Sequence, residues 1–248
     1  MAGRYLVPEW PAPPLIRAFS TLRAPGTSAP PYHEFNLAEH VGDRPESVSA
    51  NRDQLYHDLG LRNLPAWLDQ EHGTVVVEAQ PESRPTADAS YTRRPWIPCA
   101  VMTADCLPVL FTARDGSMVA AAHAGWRGLQ GGILEATLDH FPDRDLLIWL
   151  GPAIGPTAFE VGPEVREAFL HRLEASEDCF CKSGKDRYHA DLYQLARLAL
   201  TQAGIATTSI FGGDRCTFEE ASEFFSYRRD RTTGRMATLI WREESPTA

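Results

Sequence analysis

Three side chains suited to zinc occur at the ends of predicted strands: His72, Cys106 and His123. Two imidazoles and one thiolate form a good ligand set for zinc, and three protein ligands leave a fourth position for water or substrate, as in catalytic zinc sites. The three residues are far apart in the sequence and match no local metal motif such as C-x-x-C. Two interpretations stay open: a catalytic metal site, or two hydrogen-bonded histidines and a small apolar thiol in the core. The spacing alone favours the second.

A glycine-rich junction follows His123. Gly125-Trp126-Arg127-Gly128, with Gly131 and Gly132 beyond it, leads from a predicted strand into a helix. Backbone N–H groups at such a helix start attract anions, and Arg127 could add a bidentate contact, so phosphate is the natural ligand. Equally, glycines let a helix pack closely against a sheet, and the complete dinucleotide-binding or P-loop pattern is missing. The sequence does not decide between anion binding and packing.

A third stretch combines aromatic and cationic side chains: Phe224-Phe225-Ser226-Tyr227-Arg228-Arg229-Asp230. Its rings and guanidinium groups could stack on a planar base and donate hydrogen bonds to it. The alternative is a core strand that ends in surface charges. Acidic residues and arginines are equally numerous between residues 214 and 235, so the second interpretation is favoured.

The other histidines and cysteines form no comparable pattern. Six histidines lie on predicted polar helix faces or in loops and are not assigned to a site: His33, His40, His57, His140, His171 and His189. Cys179 and Cys181 form an isolated C-x-C pair, and Cys99 and Cys216 are expected to be buried thiols. The chain has five cysteines, an odd number without the spacing of a disulfide framework, which favours a reducing cytoplasm.

Hydrophobic periodicity and turn residues predict the elements that must position these groups. A helix is expected over Pro45–Leu59, with Gly60 as a left-handed stop, and it should expose Asn51 and Arg52. Further helices are expected over 129–141, from Pro163, and from Asp191 as an N-cap. Short apolar runs predict strands at 74–77, 99–103, 107–112, 118–123, 146–150, 207–211 and 237–241.

Composition excludes several classes of protein. The chain has 248 residues, 43% hydrophobic and 23% charged, which is enough apolar material for a folded core and too much for disorder throughout. No stretch approaches the roughly 18 apolar residues of a membrane span, and no signal peptide is recognised, so we expect a cytoplasmic protein without a membrane partner. The net charge of −9 argues against a nucleic-acid polymer as partner.

We predict a single mixed α+β domain, because no repeat and no shift in composition marks an internal boundary. Seven prolines between Pro8 and Pro31 exclude long helices from the first part of the chain. The expected limits are a proline-rich N-terminal extension over 1–14, a catalytic domain over 15–241 and a polar C-terminal tail over 242–248.

A series of short motifs runs in one order along almost the whole chain. It begins with Pro31-Tyr32, Asn36-Leu37, His40-Val41-Gly42-Asp43, Asn51-Arg52, Gln70, His72-Gly73, Ala87-Asp88-Ala89 and Thr103-Ala104-Asp105-Cys106-Leu107-Pro108-Val109. It continues with His123-Ala124-Gly125-Trp126-Arg127-Gly128, Gly151-Pro152-Ala153-Ile154-Gly155-Pro156, Phe159-Glu160-Val161-Gly162, Cys216-Thr217 and the stretch from Phe224 to Asp230. Together these motifs resemble the YfiH-type laccase-domain family, whose members are variously called multicopper polyphenol oxidases and purine nucleoside phosphorylases.

The resemblance implies a single α/β domain similar to cysteine hydrolases of the cytotoxic-necrotizing-factor type. It also implies a zinc ion held by His72, Cys106 and His123. The substrates that it implies are purine nucleosides and inorganic phosphate, with phosphorolysis of adenosine, inosine and methylthioadenosine and deamination of adenosine. The sequence indicates no oligomeric state.

We assign roles on this basis as hypotheses. Cys106 and His123 are the expected catalytic residues, and Asp105, adjacent to Cys106, is the candidate carboxylate for proton transfer. Substrate and phosphate binding are assigned to four polar residues whose types suit anion recognition: Asn51, Arg52, Arg127 and Arg228.

Three alternatives use the same residues differently. Without metal, Cys106 as nucleophile and His123 as base would make a Cys-His hydrolase, such as an amidase acting on a peptidoglycan precursor. A copper-dependent polyphenol oxidase would need many more clustered histidines than His72 and His123, so copper is less favoured than zinc. A nucleotide-sensing module without catalysis is the third.

Overall fold

Two β-sheets packed face to face form the core of the protein, which we describe from a computed structural model for residues 3–81 and 83–244. The strands of the described residues are β1 (Tyr5–Leu6), β2 (Ile16–Thr21), β3 (Val76–Glu78), β4 (Ala89–Thr92), β5 (Cys99–Thr103), β6 (Leu107–Ala113), β7 (Val119–Ala124), β8 (Leu146–Leu150), β9 (Glu160–Val161), β10 (Phe180–Gly184), β11 (Arg187–Ala190), β12 (Ile210–Gly212) and β13 (Met236–Arg242). The helices are α1 (Pro45–Leu59), α2 (Trp126–Gly131), α3 (Ile133–Leu138), α4 (Pro163–Leu170), α5 (Leu192–Gln202) and α6 (Tyr227–Asp230).

The larger sheet has six strands in the order β12-β8-β6-β7-β4-β3, parallel at its two edges and antiparallel through its centre. The second sheet is antiparallel and has the order β1-β2-β13-β5. A small third sheet has the order β10-β11-β9. Strand pairing reaches Tyr5 and Leu6, which lie in the segment expected to be an N-terminal extension.

The layers follow from strands that are apolar on both faces. In β6, Val109 and Phe111 pack towards α2 to α5, while Leu110 between them packs towards the four-stranded sheet. Side chains alternate across a strand, so a continuous apolar run buries both faces. The outer face of the four-stranded sheet is covered by α1, where Leu55 contributes to a further apolar cluster. The described residues thus form four layers: helix, sheet, sheet and helices. The prediction of one mixed α/β domain is confirmed, whereas the layer order was not predicted.

Most predicted elements are confirmed, and the exceptions have local causes. Helix α1 has the predicted bounds and ends at Gly60 in the left-handed conformation. The helix expected over 129–141 is broken into α2 and α3, because Gly132 has φ +104°. The strand expected over 207–211 starts later, at Ile210, after a 3-10 turn.

Two other expectations are wrong. Asn51 is not exposed on α1, since only 1% of its surface is accessible. The stretch from Phe224 to Asp230 is not a strand: its aromatic half is buried without strand pairing and its charged half is the single turn of α6, capped by Ser226, whose Oγ accepts a hydrogen bond from the backbone of Arg229. Among the described residues, no helix combines the length and the apolar character needed to cross a lipid bilayer.

Candidate metal centre

Strand direction brings the three predicted metal ligands to one edge of the large sheet. Strand β7 is antiparallel to both β4 and β6, so its end lies beside the starts of those two strands. His123 is near the end of β7, Cys106 directly precedes β6, and Asp88 directly precedes β4. His72 is in the loop before β3, which is parallel to β4 and starts at the same edge. The topology therefore brings together residues that are far apart in the sequence.

The donor atoms of His72, Cys106 and His123 all lie within 4.8 Å of one another. The distance between Cys106 Sγ and His72 Nε2 is 3.7 Å, and the two imidazole rings are 4.8 Å apart at an interplanar angle of 74°. A tetrahedral zinc ion with bonds of about 2.0–2.3 Å places its ligands about 3.3–3.7 Å apart. The group therefore fits zinc after a small contraction. His123 is buried, Cys106 is half-buried and His72 is exposed, so the group is accessible from the side of His72.

A carboxylate that the sequence analysis left unassigned, Asp88, organises this group. Its Oδ1 lies 2.8 Å from His123 Nδ1, which leaves Nε2 free to bind a metal. The same carboxylate accepts hydrogen bonds from the backbone N–H groups of His72 at 2.9 Å and Gly73 at 2.7 Å. Metal-binding histidines commonly have such a carboxylate on their second nitrogen, where it fixes the tautomer and the ring orientation. Asp88 thus orients two of the three ligands.

Charge favours an ionised Cys106. Burial opposes the thiolate, but the positive charge and hydrogen bond of His123, assisted by His72, lower the pKa of Cys106 to about 6. Burial also opposes a charged His123, yet the Cys106 thiolate and Asp88 raise the pKa of His123 to about 9. For Asp88, burial is outweighed by hydrogen bonds from His123 and Gly73, so the pKa of Asp88 is lowered. The site therefore presents a thiolate, which is the form of cysteine that binds metal.

This ionisation predicts the pH dependence of Cys106 alkylation in metal-stripped protein. The thiolate is the nucleophile and forms above the pKa, so the rate with iodoacetamide should rise as the pH passes about 6, not about 8.5 as for an ordinary thiol. Mass spectrometry of the peptide containing Cys106 gives the rate, and added zinc should suppress it. Exposed Cys181 provides an internal reference. A midpoint near 8.5, or no protection by zinc, would contradict the assignment.

Asp105 fixes the turn that carries Cys106. Its backbone has φ +96°, an uncommon conformation for a residue with a side chain. Its carboxylate accepts hydrogen bonds from Thr217 Oγ1 at 2.7 Å and from the backbone N–H of Arg228 at 2.6 Å. Its backbone carbonyl accepts one from Ile154 at 2.9 Å. Both carboxylate oxygens are therefore engaged in holding the Cys106 turn against its neighbours.

The glycine-rich junction allows close packing against the ligand loop. A Cβ on Gly125 would lie 2.7 Å from His72 Cδ2 and 3.0 Å from Cys106 Sγ. A Cβ on Gly128 would lie 3.0 Å from the carbonyl oxygen of Gly73. These positions favour packing as the role of both glycines.

Gly125→Ala is therefore expected to displace two metal ligands without unfolding the protein. The added methyl must push away the His72 ring and the Cys106 sulfur, so zinc affinity should fall by at least about tenfold. Zinc competition with a chromophoric chelator and thermal melting measure the two effects. Gly184→Ala is the matched control, because the nearest atom to its new methyl would be 3.8 Å away. Unchanged affinity in Gly125→Ala would contradict this role.

A cavity of about 360 Å³ opens on the candidate metal ligands. Beside His72, Cys106 and His123, five polar side chains line it: His40, Gln70, Thr103, Tyr227 and Arg235. The Gln70 side chain forms two hydrogen bonds of 2.8 Å with the backbone of Met102 in β5, which anchors the start of the His72 loop. The cavity thus lies between α6 and the ends of the two sheets.

Two of the predicted substrate-binding residues lie on α1, away from this cavity. Asn51 donates hydrogen bonds to Ser28 Oγ and to two backbone carbonyls, which ties α1 to the preceding loop. Arg52 lies over the Trp67 ring at 4.6 Å and forms an ion pair with Glu39 at 2.7 Å. Both side chains are engaged in interactions within the fold.

The other two predicted binding residues lie on α2 and α6. Arg127 is exposed and lies over the Trp126 ring at 4.4 Å. Arg228 follows Tyr227 on α6, and its guanidinium donates to the carbonyl of Glu160 at 3.0 Å. The described residues that line the cavity include none of the four predicted binding residues. Substrate binding by these four stays a prediction.

Sequence reasoning assigned no role to three residues of the site: His40, Arg235 and Asp88, the last of which it left open beside Asp105 and Glu160 as a carboxylate that could face the pocket. Asp88 and His40 were visible only as members of short motifs, and neither has a spacing relative to His123 that signals contact. Arg235 precedes an apolar strand and is one of several arginines in a locally neutral stretch. Only the packing of β13 against β5, where Met236 pairs with Thr103, brings Arg235 to the cavity.

The fold and site define a class of protein: a mixed α/β domain with a His-Cys-His candidate metal centre at a sheet edge. A family model described as multi-copper polyphenol oxidoreductase laccase matches residues 17–243. A protein of Escherichia coli (strain K12) named purine nucleoside phosphorylase YfiH is 52% identical over 243 residues, which covers 96% of this chain and 99% of that protein.

Solved structures agree. The crystal structure of a Neisseria meningitidis protein has a TM-score of 0.93 and 45% identity, covering 97% of this chain and all of that one (100%). The crystal structure of YlmD from Geobacillus stearothermophilus has a TM-score of 0.93 and 31% identity, covering 98% of each chain. The chain belongs to the multicopper polyphenol oxidoreductase laccase family, the YfiH family, as its motifs predicted.

Proposed function

We propose that this protein is a zinc-dependent purine nucleoside phosphorylase that acts on adenosine, inosine and methylthioadenosine. The observation that carries the proposal is the His72, Cys106 and His123 group opening into the cavity of about 360 Å³. Small-molecule sites measure about 300–1,000 Å³, so the cavity suits a nucleoside. The names of relatives, including the Escherichia coli protein, support the same reaction class.

The residues present fit zinc, with one negative and two neutral ligands and a carboxylate behind one imidazole. When bound, zinc would supply Lewis-acid chemistry at an oxygen of the substrate or of water. The chain itself contributes orientation. Asp88 holds the proton of His123 at Nδ1, and it fixes the loop of His72 through backbone hydrogen bonds. Asp105 fixes the turn of Cys106, so we assign it a positioning role through that ligand.

In phosphorolysis, a phosphate oxygen bonds to C1′ of the ribose while the bond from C1′ to purine N9 breaks. The electron pair of that bond stays on the base, which takes a proton and leaves, and ribose 1-phosphate is formed. Positioning of the two substrates and stabilisation of charge dominate such a reaction. We extend the proposal to deamination of adenosine, in which water adds at C6 of the purine and ammonia leaves.

Chromatography of adenosine incubated with zinc-loaded protein tests the proposal. With phosphate, we expect adenine and ribose 1-phosphate, together with inosine from deamination and hypoxanthine from its phosphorolysis. Without phosphate, we expect inosine alone. Inosine should give hypoxanthine and ribose 1-phosphate, and methylthioadenosine should give adenine and methylthioribose 1-phosphate, in both cases only when phosphate is present. If no free base appears from any of these nucleosides at full zinc loading, the proposal is wrong.

A Cys-His hydrolase of the cytotoxic-necrotizing-factor type, such as an amidase acting on a peptidoglycan precursor, is the second candidate. Its specific support is that Cys106 contacts His123 and His123 contacts Asp88. The three side chains could therefore act as nucleophile, base and orienting carboxylate. Metal analysis of purified protein separates the candidates: about one zinc per chain favours the phosphorylase, and activity of metal-stripped protein on an amide favours the hydrolase.

Copper-dependent phenol oxidation is the third candidate, because the matching family model is described as a multi-copper oxidoreductase. Within residues 3–81 and 83–244, a single group of three side chains could hold a metal ion. Several coppers require several such groups, so the ligand inventory favours one ion. We also propose a cytoplasmic location, since all five cysteines, each within the described part of the chain, are free thiols.

A further inference from the structure

The cavity is lined by an arginine, Arg235, that has unused hydrogen-bond donors. Arg235 Nη1 donates to the carbonyls of Thr233 at 2.9 Å and Gly234 at 3.0 Å. Across the described residues, Nε and Nη2 of Arg235 have no hydrogen-bond acceptor, and no carboxylate forms an ion pair with this side chain. Half of the guanidinium fork is therefore available to a ligand in the cavity.

The cavity around Arg235 is poor in carboxylates although the protein carries a net charge of −9. The described residues that line the cavity include no aspartate or glutamate. His40 lies at the same cavity, close enough that the charge of Arg235, after burial, helps to lower the pKa of His40. An anion entering this cavity therefore meets the charge and the free donors of Arg235. The negative groups near Arg235 are the Cys106 thiolate and Asp105, and both carboxylate oxygens of Asp105 already accept hydrogen bonds from Thr217 and Arg228.

Arg235 is held rigidly. Its backbone N–H donates to Asn36 Oδ1 at 3.0 Å, and Asn36 in turn donates to Asp43 at 2.9 Å. The preceding residue, Gly234, packs so closely that a Cβ there would lie 2.7 Å from the Phe225 ring. A preorganised guanidinium loses little freedom when it binds an oxyanion, and its planar fork matches two phosphate oxygens.

We propose that Arg235 binds the phosphate that attacks the nucleoside, with His40 as a second contact at the cavity mouth. The inference rests on the proposed function and assigns its phosphate subsite. Arg235 lies one residue before Met236, which pairs with Thr103 near the Cys106 turn, so the anion lies at the side of the cavity next to the metal ligands. A phosphate dianion there supplies the oxygen that bonds to C1′ as the base departs with the electron pair of the broken bond.

Steady-state kinetics of Arg235→Gln test the subsite. Charged hydrogen bonds to a dianion correspond to about 10–100-fold in affinity, so the KM for phosphate should rise by that factor. The KM for adenosine and the zinc content should change less than about threefold. Arg235→Lys should recover part of the loss, because lysine keeps the charge without the bidentate fork. Arg17→Gln, which removes an arginine paired with Glu243 on the surface, is the charge-matched control.

Calorimetric titration of the zinc-loaded protein with inorganic phosphate provides a readout without turnover. Wild type and Arg17→Gln should bind phosphate, and Arg235→Gln should bind it about 10–100-fold more weakly. A parallel titration with adenosine 5′-monophosphate tests whether the anion belongs to a nucleotide. Tight binding of the nucleotide with no binding of free phosphate, an unchanged phosphate KM in Arg235→Gln, or an equal rise of both KM values would overturn the inference.

Failure of the proposed function is distinguishable from failure of this subsite. If wild-type protein forms no ribose 1-phosphate, phosphorolysis is wrong whatever Arg235 does. If wild-type protein does form it and Arg235→Gln keeps the wild-type phosphate KM, only the subsite is wrong.

Discussion

Cys106→Ala is expected to remove zinc binding and phosphorolysis together. The substitution deletes the one anionic donor of the group. Loss of a residue that only orients a metal ligand typically lowers metal affinity by about 10–100-fold, and we expect a larger fall in zinc affinity here. The fold should be retained, since the side chain is small and half-buried, and the free energy of unfolding of metal-free protein should change by about 1 kcal/mol. Metal analysis, chromatographic assay and thermal melting measure the three quantities.

Cys181→Ala is the matched control, because it removes an exposed thiol and should leave all three quantities unchanged. Retention of one zinc per chain by Cys106→Ala would show that the metal is held elsewhere. Cys106→Ala inactivates both the zinc-dependent phosphorylase and the Cys-His hydrolase, so it does not separate these two candidates. His72→Ala does separate them. A metal enzyme loses activity with His72, whereas a hydrolase that uses Cys106 and His123 needs His72 less.

Asp88→Asn is expected to weaken both the site and the fold. The carboxylate accepts hydrogen bonds from the His123 ring and from the backbone of Glu71, His72 and Gly73. An amide of the same shape replaces one acceptor with a donor, so at least one buried N–H group loses its partner. The free energy of unfolding should fall by about 2–4 kcal/mol. Zinc affinity should fall by about 10–100-fold, because His123 loses its fixed orientation.

Chemical denaturation and chelator competition measure these effects for Asp88→Asn. Asp139→Asn is the control, since Asp139 forms an exposed ion pair with Arg144 and should change stability by less than about 1 kcal/mol. Wild-type zinc affinity in Asp88→Asn would contradict the orienting role. A stable protein with weakened zinc binding would show that Asp88 acts on the ligands more than on the fold.

Elements whose signals are local were predictable. Helix α1 was recognised at its full length, because Pro45 and Gly60 mark its ends and apolar residues recur along one face. Strands β5 and β8 were predicted with their observed bounds from short apolar runs. The helix over 129–141 was predicted as continuous because periodicity does not register the left-handed backbone at Gly132.

Contacts between distant segments were not predictable in the same way. Asn51 carries no sequence signal of burial, yet its amide bridges α1 to the loop before it. Arg235 and Arg127 look alike in sequence, but one lies in the cavity and the other on the surface over Trp126. A polar side chain can face inwards wherever its partners exist, and those partners belong to other elements.

The amino-acid sequence by itself determined the donor types, the mixed α/β class and the family, since these depend on residue identity, local periodicity and short motifs. The tertiary structure decided that His72, Cys106 and His123 share one sheet edge, that Asp88 orients the two histidines, and that Arg235 faces the same cavity. The physical reason is that strand order and direction set which chain segments meet. Those pairings depend on the packing of the whole core and leave no periodic signal in any one segment.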